Sequence, residues 1–446
     1  MSERPKTLDA SAGLSRRALL SALAAASAAG VMASPKRALG AAPSAAKPEK
    51  RRRRGPRVVV VGAGAFGGWT ALFLLRRGAQ VTLVDAWGPG NSRASSGGET
   101  RVIRGVYGPD GIYTRMAARA FTLWHEAETR WKRKLYRRTG ALWMVADEGE
   151  FVRASMPILR ENGFQYEELS AGDAAKRYPQ IDLDGIRWAL LEKEAGYLTA
   201  RRACADVLEG FVSEGGQYLE ASADPGSVTG TSGGGRGAGK LRLSNGTELA
   251  ADIYVFACGP WLAKLFPDVV GKLVSPTRQD VLFFGTPAGD DRFSETRFPV
   301  WIEVPRFFYG IPGNERRGFK IADDARGEPF DPTDGDRRVS EAAVGAARQY
   351  IARRFPALKD APLVESRVCQ YENSPDHHFL VDRHPGASNV WIVGGGSGHG
   401  FKHGPALGEM VADNVLGKKA PEPLFSLSRF DKSRQSLARE TRDTRT

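Results

Sequence analysis

Three glycines and one aspartate in the first quarter of the chain have the spacing of a phosphate-binding turn. Gly62, Gly64 and Gly67 form a GxGxxG motif. The first glycine permits a tight turn, the second lets a pyrophosphate approach the main chain, and the third lets a helix pack on a strand. Asp85 stands 18 residues after the last of these glycines, where an acid can bind a ribose 2′-hydroxyl. The four residues therefore predict a dinucleotide site.

The elements around this motif must bring its parts together. The apolar residues 58–61 predict a strand before the glycines, an apolar helix follows them, and residues 80–84 predict a second strand that ends at Asp85. This order is a Rossmann-like unit, in which the start of the helix offers unpaired N–H groups to the phosphates. Because NAD and FAD proteins share this motif, it leaves both cofactors open.

Two later segments favour FAD. Residues 248–262, ELAADIYVFACGPWL, predict a strand and a small-residue turn beside the first strand. Residues 389–416 repeat the order strand, glycine turn, helix, and place Gly396, Gly398 and Gly400 in a second turn that a ligand can approach closely. A long, extended FAD requires such contacts from distant parts of a chain.

Four segments together resemble the monomeric sarcosine oxidase family of flavin amine oxidases, which includes N-methyltryptophan and pipecolate oxidases. They are GAGAFGGWTALFLLRRGAQVTLVD, GGETRVIRGVYG, CQYENSPDHHFLVD and GGGSGHGFKHGPALGE. The resemblance runs from about residue 57 to 430. It implies oxidation of the C–N bond of a secondary (N-methyl or cyclic) or primary amino acid to an imine, with O2 reduced to H2O2.

The resemblance also gives a role to one of the three cysteines. It implies that Cys369 is bonded through its sulfur to the 8α-methyl carbon of FAD, and the alternative is a buried, unreactive thiol. Cys204 and Cys258 are predicted to be packing residues. A disulfide between two of the three stays open on the sequence alone.

Five charged or polar residues match the family's reactive, cofactor-binding and substrate-binding positions. The resemblance implies that Arg104 and Lys402 bind the substrate carboxylate, and two converging cations suit that group. It places Tyr371 in the substrate pocket and Lys320 where a cation promotes reaction with O2. Arg101 and Lys402 are also expected beside the cofactor, and Arg101 and Lys320 are the predicted catalytic residues.

The chain departs from the family pattern at the substrate pocket. Residues 96–99 are Ser-Gly-Gly-Glu where sarcosine oxidases carry a histidine pair. Phe308 stands at a pocket position that is tyrosine in the family, and Asp324 at one that is histidine. The shape and charge of the pocket should therefore differ from those of a sarcosine site. The histidines of the last quarter match no metal motif, so we expect no metal.

The predicted fold class is α/β, with a Rossmann-like FAD-binding domain and an α+β substrate domain built on a mainly antiparallel sheet. Alternation and turns predict strands of that sheet within residues 278–287, 297–312 and 317–324. The flavin-binding parts are separated in sequence, so the FAD-binding domain is discontinuous. The predicted segments are 1–56 for a signal and basic linker, 57–138, 197–275 and 367–430 for the FAD-binding domain, 139–196 and 276–366 for the substrate domain, and 431–446 for a polar tail. Residues 222–240 predict a flexible Gly/Ser-rich hairpin.

The basic charge of the chain is concentrated before the folded region. The net charge is +13, and residues 1–57 supply +10 of it, from 13 Lys and Arg against 3 Asp and Glu. The remainder gives no basic face for nucleic acid. Arg16 and Arg17 precede a 15-residue apolar run, which indicates a twin-arginine export signal and is too short to span a bilayer. We expect a periplasmic or other extracytoplasmic monomer that uses the export machinery and has no stable membrane span.

Three other functions stay open at this stage. A flavin dehydrogenase would pass electrons to a quinone or carrier instead of O2. A flavoprotein with a degenerate active site would bind FAD without oxidising an amine. An NAD dehydrogenase ranks last, because it leaves the two C-terminal motifs unexplained.

Overall fold

Residues 55–229, 239–306 and 308–431 are described by a computed structural model. The predicted export signal and nearly all of its linker lie outside the described residues, as do most of the Gly/Ser-rich insertion and the predicted tail beyond residue 431. None of the described helices is both long enough and apolar enough to cross a membrane.

The described residues form twenty strands and ten α-helices. The first ten strands are β1 (Arg57–Val61), β2 (Gln80–Asp85), β3 (Arg101–Ile103), β4 (Tyr136–Arg137), β5 (Ala141–Val145), β6 (Tyr166–Ser170), β7 (Trp188–Glu192), β8 (Gly196–Leu198), β9 (Gln217–Glu220) and β10 (Ala223–Asp224). The others are β11 (Leu241–Leu243), β12 (Glu248–Leu249), β13 (Ile253–Phe256), β14 (Ser275–Phe284), β15 (Val300–Val304), β16 (Phe308–Ile311), β17 (Phe319–Asp323), β18 (Leu363–Asn373), β19 (Leu380–His384) and β20 (Ala387–Gly394). The helices are α1 (Ala65–Arg76), α2 (Gly111–Trp131), α3 (Glu150–Glu161), α4 (Ala171–Arg177), α5 (Ala200–Ser213), α6 (Gly226–Thr229), α7 (Leu262–Leu265), α8 (Pro267–Val270), α9 (Glu341–Arg354) and α10 (Gly404–Val415).

A six-stranded sheet contains the predicted Rossmann-like unit. Its strand order is β19-β20-β13-β1-β2-β9, and every pair is parallel except β19 with β20. Val58 and Val60 of β1 face one hydrophobic core, whereas Val59 and Val61 face another. A parallel strand buried on both faces in this way needs an unbroken apolar run, and β1 has one. Helix α1 packs on this sheet and contacts α5 and α10.

An eight-stranded sheet forms the second layer. Its order is β18-β14-β17-β16-β15-β5-β7-β6, and only β5 with β15 is parallel. The strands predicted within residues 278–287, 297–312 and 317–324 are present as β14 to β17, so the predicted fold class is confirmed. The domain boundary drawn at residue 367 falls inside β18.

Two three-stranded sheets complete the fold, with orders β3-β8-β4 and β10-β11-β12. The predicted flexible hairpin at 222–240 contains β10 and the short helix α6 in its described part. Strand β3 positions two of the predicted site residues, because Arg101 is its first residue and Arg104 directly follows its last.

A buried ion pair fastens α9 to the eight-stranded sheet. Arg354 of α9 donates from Nε to Glu303 of β15 at 3.0 Å, and both side chains are almost fully buried. The hydroxyl of Tyr350 donates to the same carboxylate at 2.6 Å. A buried carboxylate that loses its cationic partner is destabilising, because its charge is then left uncompensated.

Replacing this arginine should therefore weaken the fold. We expect Arg354→Met to lower the free energy of unfolding by about 3 kcal/mol or more, as measured by urea denaturation. The control is Arg177→Met, which removes an exposed pair with Glu167 and should cost about 1 kcal/mol or less. Similar losses in the two variants would contradict the role given to the buried pair.

Candidate active site

The turn between β1 and α1 brings the N-terminus of a helix to the edge of a cavity. Gly62 has a φ of +107°, in the region that favours glycine, and a Cβ on Gly67 would collide with the carbonyl oxygen of Gly62. Helix α1 has no acidic residue in its first turn and no side-chain cap at Gly64. Its positive end therefore faces a cavity that Gly62 and Gly64 help to line.

Asp85, the last residue of β2, binds the main chain of this turn. One carboxylate oxygen accepts the N–H of Ala63 at 2.7 Å and the other accepts the N–H of Trp87 at 2.9 Å. Burial raises the pKa of Asp85, and these N–H groups oppose the change in part. Because each oxygen can accept a further hydrogen bond and the residue lines the same cavity, Asp85 is placed to bind a ribose hydroxyl.

The second glycine turn lies on the same cavity. Gly396, Gly398 and Gly400 all line it. Gly398 has a φ of +79°, and a Cβ there would lie 2.6 Å from the ring of Tyr371. The turns that follow β1, β13 and β20 meet here because these strands are neighbours and parallel.

The lining of the cavity fits FAD by its glycine turns and its unpaired polar atoms. Three of its lining residues carry a buried oxygen with no hydrogen-bond partner within the described parts of the chain: Ser95 Oγ, Gln370 Oε1 and Glu372 Oε1. Buried polar atoms are normally paired, so these oxygens indicate a polar ligand. A helix start, glycine turns and an acid for the ribose are the features that a dinucleotide cofactor needs.

Cys369 lies on the wall of this cavity in contact with Arg101. The Arg101 Nη2 donates to the Cys369 Sγ at 3.1 Å and to the carbonyl oxygen of Ser95 at 2.5 Å. All three cysteines carry free thiols. Burial raises the pKa of Cys204 to about 12 and raises that of Cys258 as well, which makes these two thiols poor nucleophiles at neutral pH.

Lys320 lies in β17, on the face of the sheet that carries Cys369. It is 1% exposed, and its Nζ donates to the carbonyl oxygen of Thr100 at 3.0 Å. Burial, together with Arg101, lowers the pKa of Lys320 to about 7. A second, smaller cavity is lined by Tyr309. Arg101 and Cys369 line both this cavity and the larger one.

Arg104 and Lys402 meet at one tyrosine. The Arg104 guanidinium lies 4.4 Å from the ring centre of Tyr107 and 5.1 Å from that of Trp143. The Lys402 Nζ donates to the Tyr107 hydroxyl at 2.9 Å and to the His399 carbonyl at 2.9 Å. Neither cation forms a salt bridge with an acid of the described chain, and burial and Arg104 lower the pKa of Lys402. Glu192 and Asp324 interact electrostatically with Lys402, but the absence of a salt bridge leaves both cations able to bind an anionic ligand.

Phe308 does not face this site, in contrast to its predicted role. Its ring stacks on Tyr350 of α9 at 4.4 Å, in the core on the far side of the eight-stranded sheet. Side chains alternate between the faces of a strand, so the neighbouring Tyr309 faces the cavity instead. The sequence prediction was therefore one residue out of register in β16.

Two site residues were missed by the sequence reasoning. Tyr107 joins Lys402 to the buried His403, whose Nε2 lies 2.7 Å from the Tyr107 hydroxyl. Glu372 lines the cavity and is 6% exposed. Glu372 lies three residues after Cys369 in the sequence, and this closeness could have indicated it as a site residue.

Within the described residues, no group of three or more His, Cys, Asp and Glu side chains could hold a metal ion.

Known proteins were compared with the chain. Residues 57–414 match the model of a family described as FAD dependent oxidoreductase. Monomeric sarcosine oxidase of Arthrobacter sp. (strain TE1826) is 30% identical over 390 residues, covering 83% of this chain and 96% of the relative. N-methyl-L-tryptophan oxidase of Salmonella dublin is 30% identical over 386 residues, covering 84% and 98%.

Solved structures have the same fold. L-proline dehydrogenase from P. horikoshii superposes with a TM-score of 0.74 at 20% identity, over 85% of this chain and 99% of that one. Glycine oxidase from Geobacillus kaustophilus has a TM-score of 0.68 at 21% identity, over 83% and 98%.

The buried Glu372 predicts a pH-dependent stability. Burial raises the pKa of Glu372 from its ordinary value to about 7. Between about pH 4.5 and 7, the folded protein therefore keeps a proton that the unfolded chain has lost, and stability falls as the pH rises through this window. Glu372→Gln removes this effect.

We expect Glu372→Gln to stabilise the cofactor-free protein by about 2–3 kcal/mol at pH 8 and by little at pH 5. Urea denaturation of the variant in a Cys369→Ala background, from which the cofactor can be removed, measures this. The exposed Glu161→Gln is the control and should show no such pH dependence. An equal effect of Glu372→Gln at both pH values would contradict the assignment.

Proposed function

The chain belongs to the FAD dependent oxidoreductase family, and on this premise we propose that it oxidises the C–N bond of an amino acid to an imine and reduces O2 to H2O2. The substrate is a secondary amino acid (N-methyl or cyclic) or a primary one. Two hydrogens leave the substrate, from carbon and nitrogen, and O2 takes up the two electrons and two protons.

The observation that carries this proposal is a pair of cations, the half-buried Arg104 and the buried Lys402. They meet at Tyr107, and neither forms a salt bridge with an acid of the described chain. Arg104 offers a planar set of donors, and Lys402 adds a point charge. A substrate carboxylate satisfies both. The names of the relatives, sarcosine oxidase and N-methyl-L-tryptophan oxidase, support an amino-acid substrate.

Each group at the site has a task in this reaction. Gly62, Gly64, Asp85 and the second glycine turn would hold FAD, which supplies two-electron acceptance from carbon and donation to O2. Arg104 and Lys402 orient the substrate through its carboxylate. The substrate nitrogen must be neutral for the C–H bond to be broken, because its lone pair stabilises the forming imine.

A panel of amino acids tests the proposed reaction. H2O2 release should be detected with at least one among sarcosine, other N-methyl amino acids, proline, pipecolate and primary amino acids. Arg104→Met should raise KM for that substrate by about 10- to 100-fold, because a hydrogen bond between charged groups is lost. The exposed Arg297→Met should leave KM unchanged. An unchanged KM in Arg104→Met would refute the carboxylate clamp.

The proposal includes a covalent bond between Cys369 and the 8α-carbon of FAD. The place of Cys369 on the wall of the cofactor cavity and the contact of its sulfur with the Arg101 guanidinium support this bond. The S–C bond replaces one S–H and one C–H bond, and the two electrons released reduce O2 to H2O2.

Acid precipitation measures this bond. The wild-type pellet should stay yellow, whereas the Cys369→Ala pellet should be white with free flavin in the supernatant. Cys204→Ala, which changes a buried thiol in α5, should behave as the wild type. Release of all flavin from the wild type would show that the bond does not form.

Lys320 is proposed to promote the reaction with O2. A cation stabilises the negative charge that O2 acquires, by up to about 4 kcal/mol for charges about 4 Å apart at an effective dielectric constant of 20. This corresponds to about a thousandfold in rate. Its buried position in β17, on the face that carries Cys369, supports this role.

Stopped-flow mixing with O2 after photoreduction measures the effect without a substrate. We expect Lys320→Met to slow reoxidation by about a hundred- to a thousandfold, whereas Lys272→Met, at an exposed position, should not. Slow reoxidation of the wild type, equal to that of Lys320→Met, would favour a dehydrogenase with another acceptor.

We also propose that the protein is exported through its N-terminal twin-arginine segment and acts outside the cytoplasm. This pathway carries folded proteins, so it allows a cofactor to be loaded before transport.

A further inference from the structure

An acidic side chain, Asp324, faces the same space as the two cations. It follows the last residue of β17, and alternation along that strand puts it on the face that also carries Lys320 and Ala322. The side chain is exposed. Its Oδ1 accepts the hydroxyl of Tyr371 at 2.5 Å, and Tyr371 lines both cavities.

Asp324 has no ion-pair partner in the described chain. Partial removal from water raises the pKa of its carboxyl group, whereas the Tyr371 hydroxyl, Arg104 and Lys402 oppose this change. It forms no ion pair with either cation. No other cation of the described residues forms a salt bridge with it, and Tyr371 is its only side-chain hydrogen-bond partner there. The site therefore contains two positive groups, Arg104 and Lys402, and a negative group, Asp324.

This polarity has a consequence for the substrate. An ionised carboxylate next to the reacting nitrogen would hold that nitrogen in its protonated form, which has no lone pair and resists oxidation. Asp324 is therefore suited to a positive group that does not react. A ligand with a carboxylate and a second, cationic group matches both signs of charge in the site.

We infer that Asp324 binds a cationic side chain of the substrate, so that the preferred substrates are amino acids with a basic side chain, such as an ammonium or guanidinium group. This inference rests on the proposed function for the identity of the reacting amine. The recognition of charge at Asp324 can be measured without any turnover.

Binding of unreactive carboxylates to the flavin-containing protein provides the test. The ligands are 4-aminobutanoate, 5-aminopentanoate and 6-aminohexanoate, each paired with the unsubstituted carboxylate of the same length, and the perturbation of the flavin absorption band gives Kd. In the wild type, at least one amino ligand should bind about 10- to 100-fold more tightly than its partner, as expected for a charge-assisted hydrogen bond.

Two variants decide the origin of this preference. Asp324→Asn should abolish the preference, so that each amino ligand and its unsubstituted partner have Kd values within about twofold of each other. Asp360→Asn removes the same charge from a side chain that is 88% exposed and should keep the preference. Equal Kd values for both ligand series in the wild type, a preference that survives Asp324→Asn, or binding of neither series would overturn the inference.

Kinetics separates this inference from the proposed function and from a catalytic role. Asp324→Asn should lower kcat/KM for N-methyl-lysine by about 10- to 100-fold more than it lowers that for N-methyl-norleucine. An equal loss for both substrates with an altered pH profile would instead make Asp324 a base, and the inference would be wrong. If no amine is oxidised but the binding preference is present, the proposed function fails and the charge recognition stands.

Discussion

The parallel pairing of β1 with β13, and of β13 with β20, is the constraint on which the rest of the site depends. Parallel strands end at the same edge of their sheet, so the turns that follow these three strands open into one cavity. These turns come from residues nearly 340 positions apart in the chain. Only glycines allow the main chain to come this close to a ligand, which is why two of the three turns are glycine motifs.

The eight-stranded sheet supplies the reactive side chains that this edge of the six-stranded sheet lacks. Main-chain N–H groups and Asp85 can hold a cofactor, but they offer no side chain to its reactive part. Strands β17 and β18 both pair with β14, and their inward-facing side chains include Lys320 and Cys369. Strand β3 brings Arg101 against the Cys369 sulfur from the opposite side. The site is therefore closed by side chains from three separate strands.

The sequence predicted the parts of the site that depend on local order. Glycine spacing, apolar runs and strand alternation follow from short segments, and the structure has the predicted strands and turns. In a short strand, the register decides toward which face of the sheet a side chain points. A shift by one residue in β16 therefore places Tyr309, and not Phe308, on the face of the site. Contacts such as Tyr107 with Lys402, or Asp324 with Tyr371, join distant segments, so no local pattern could predict them. Glu372 was visible in the sequence, but its burial against the second turn required the fold.

The proposed reaction requires that this cavity brings an amine that carries a carboxylate into reaction with bound FAD. We would mix the purified protein anaerobically with an amino acid and, separately, with the 2-hydroxy acid of the same carbon skeleton, and follow the flavin absorption band. We expect the amino acid to bleach the band and the hydroxy acid to leave it unchanged. Bleaching by the hydroxy acid or by NADH alone, with no bleaching by any amine, would refute the proposed reaction.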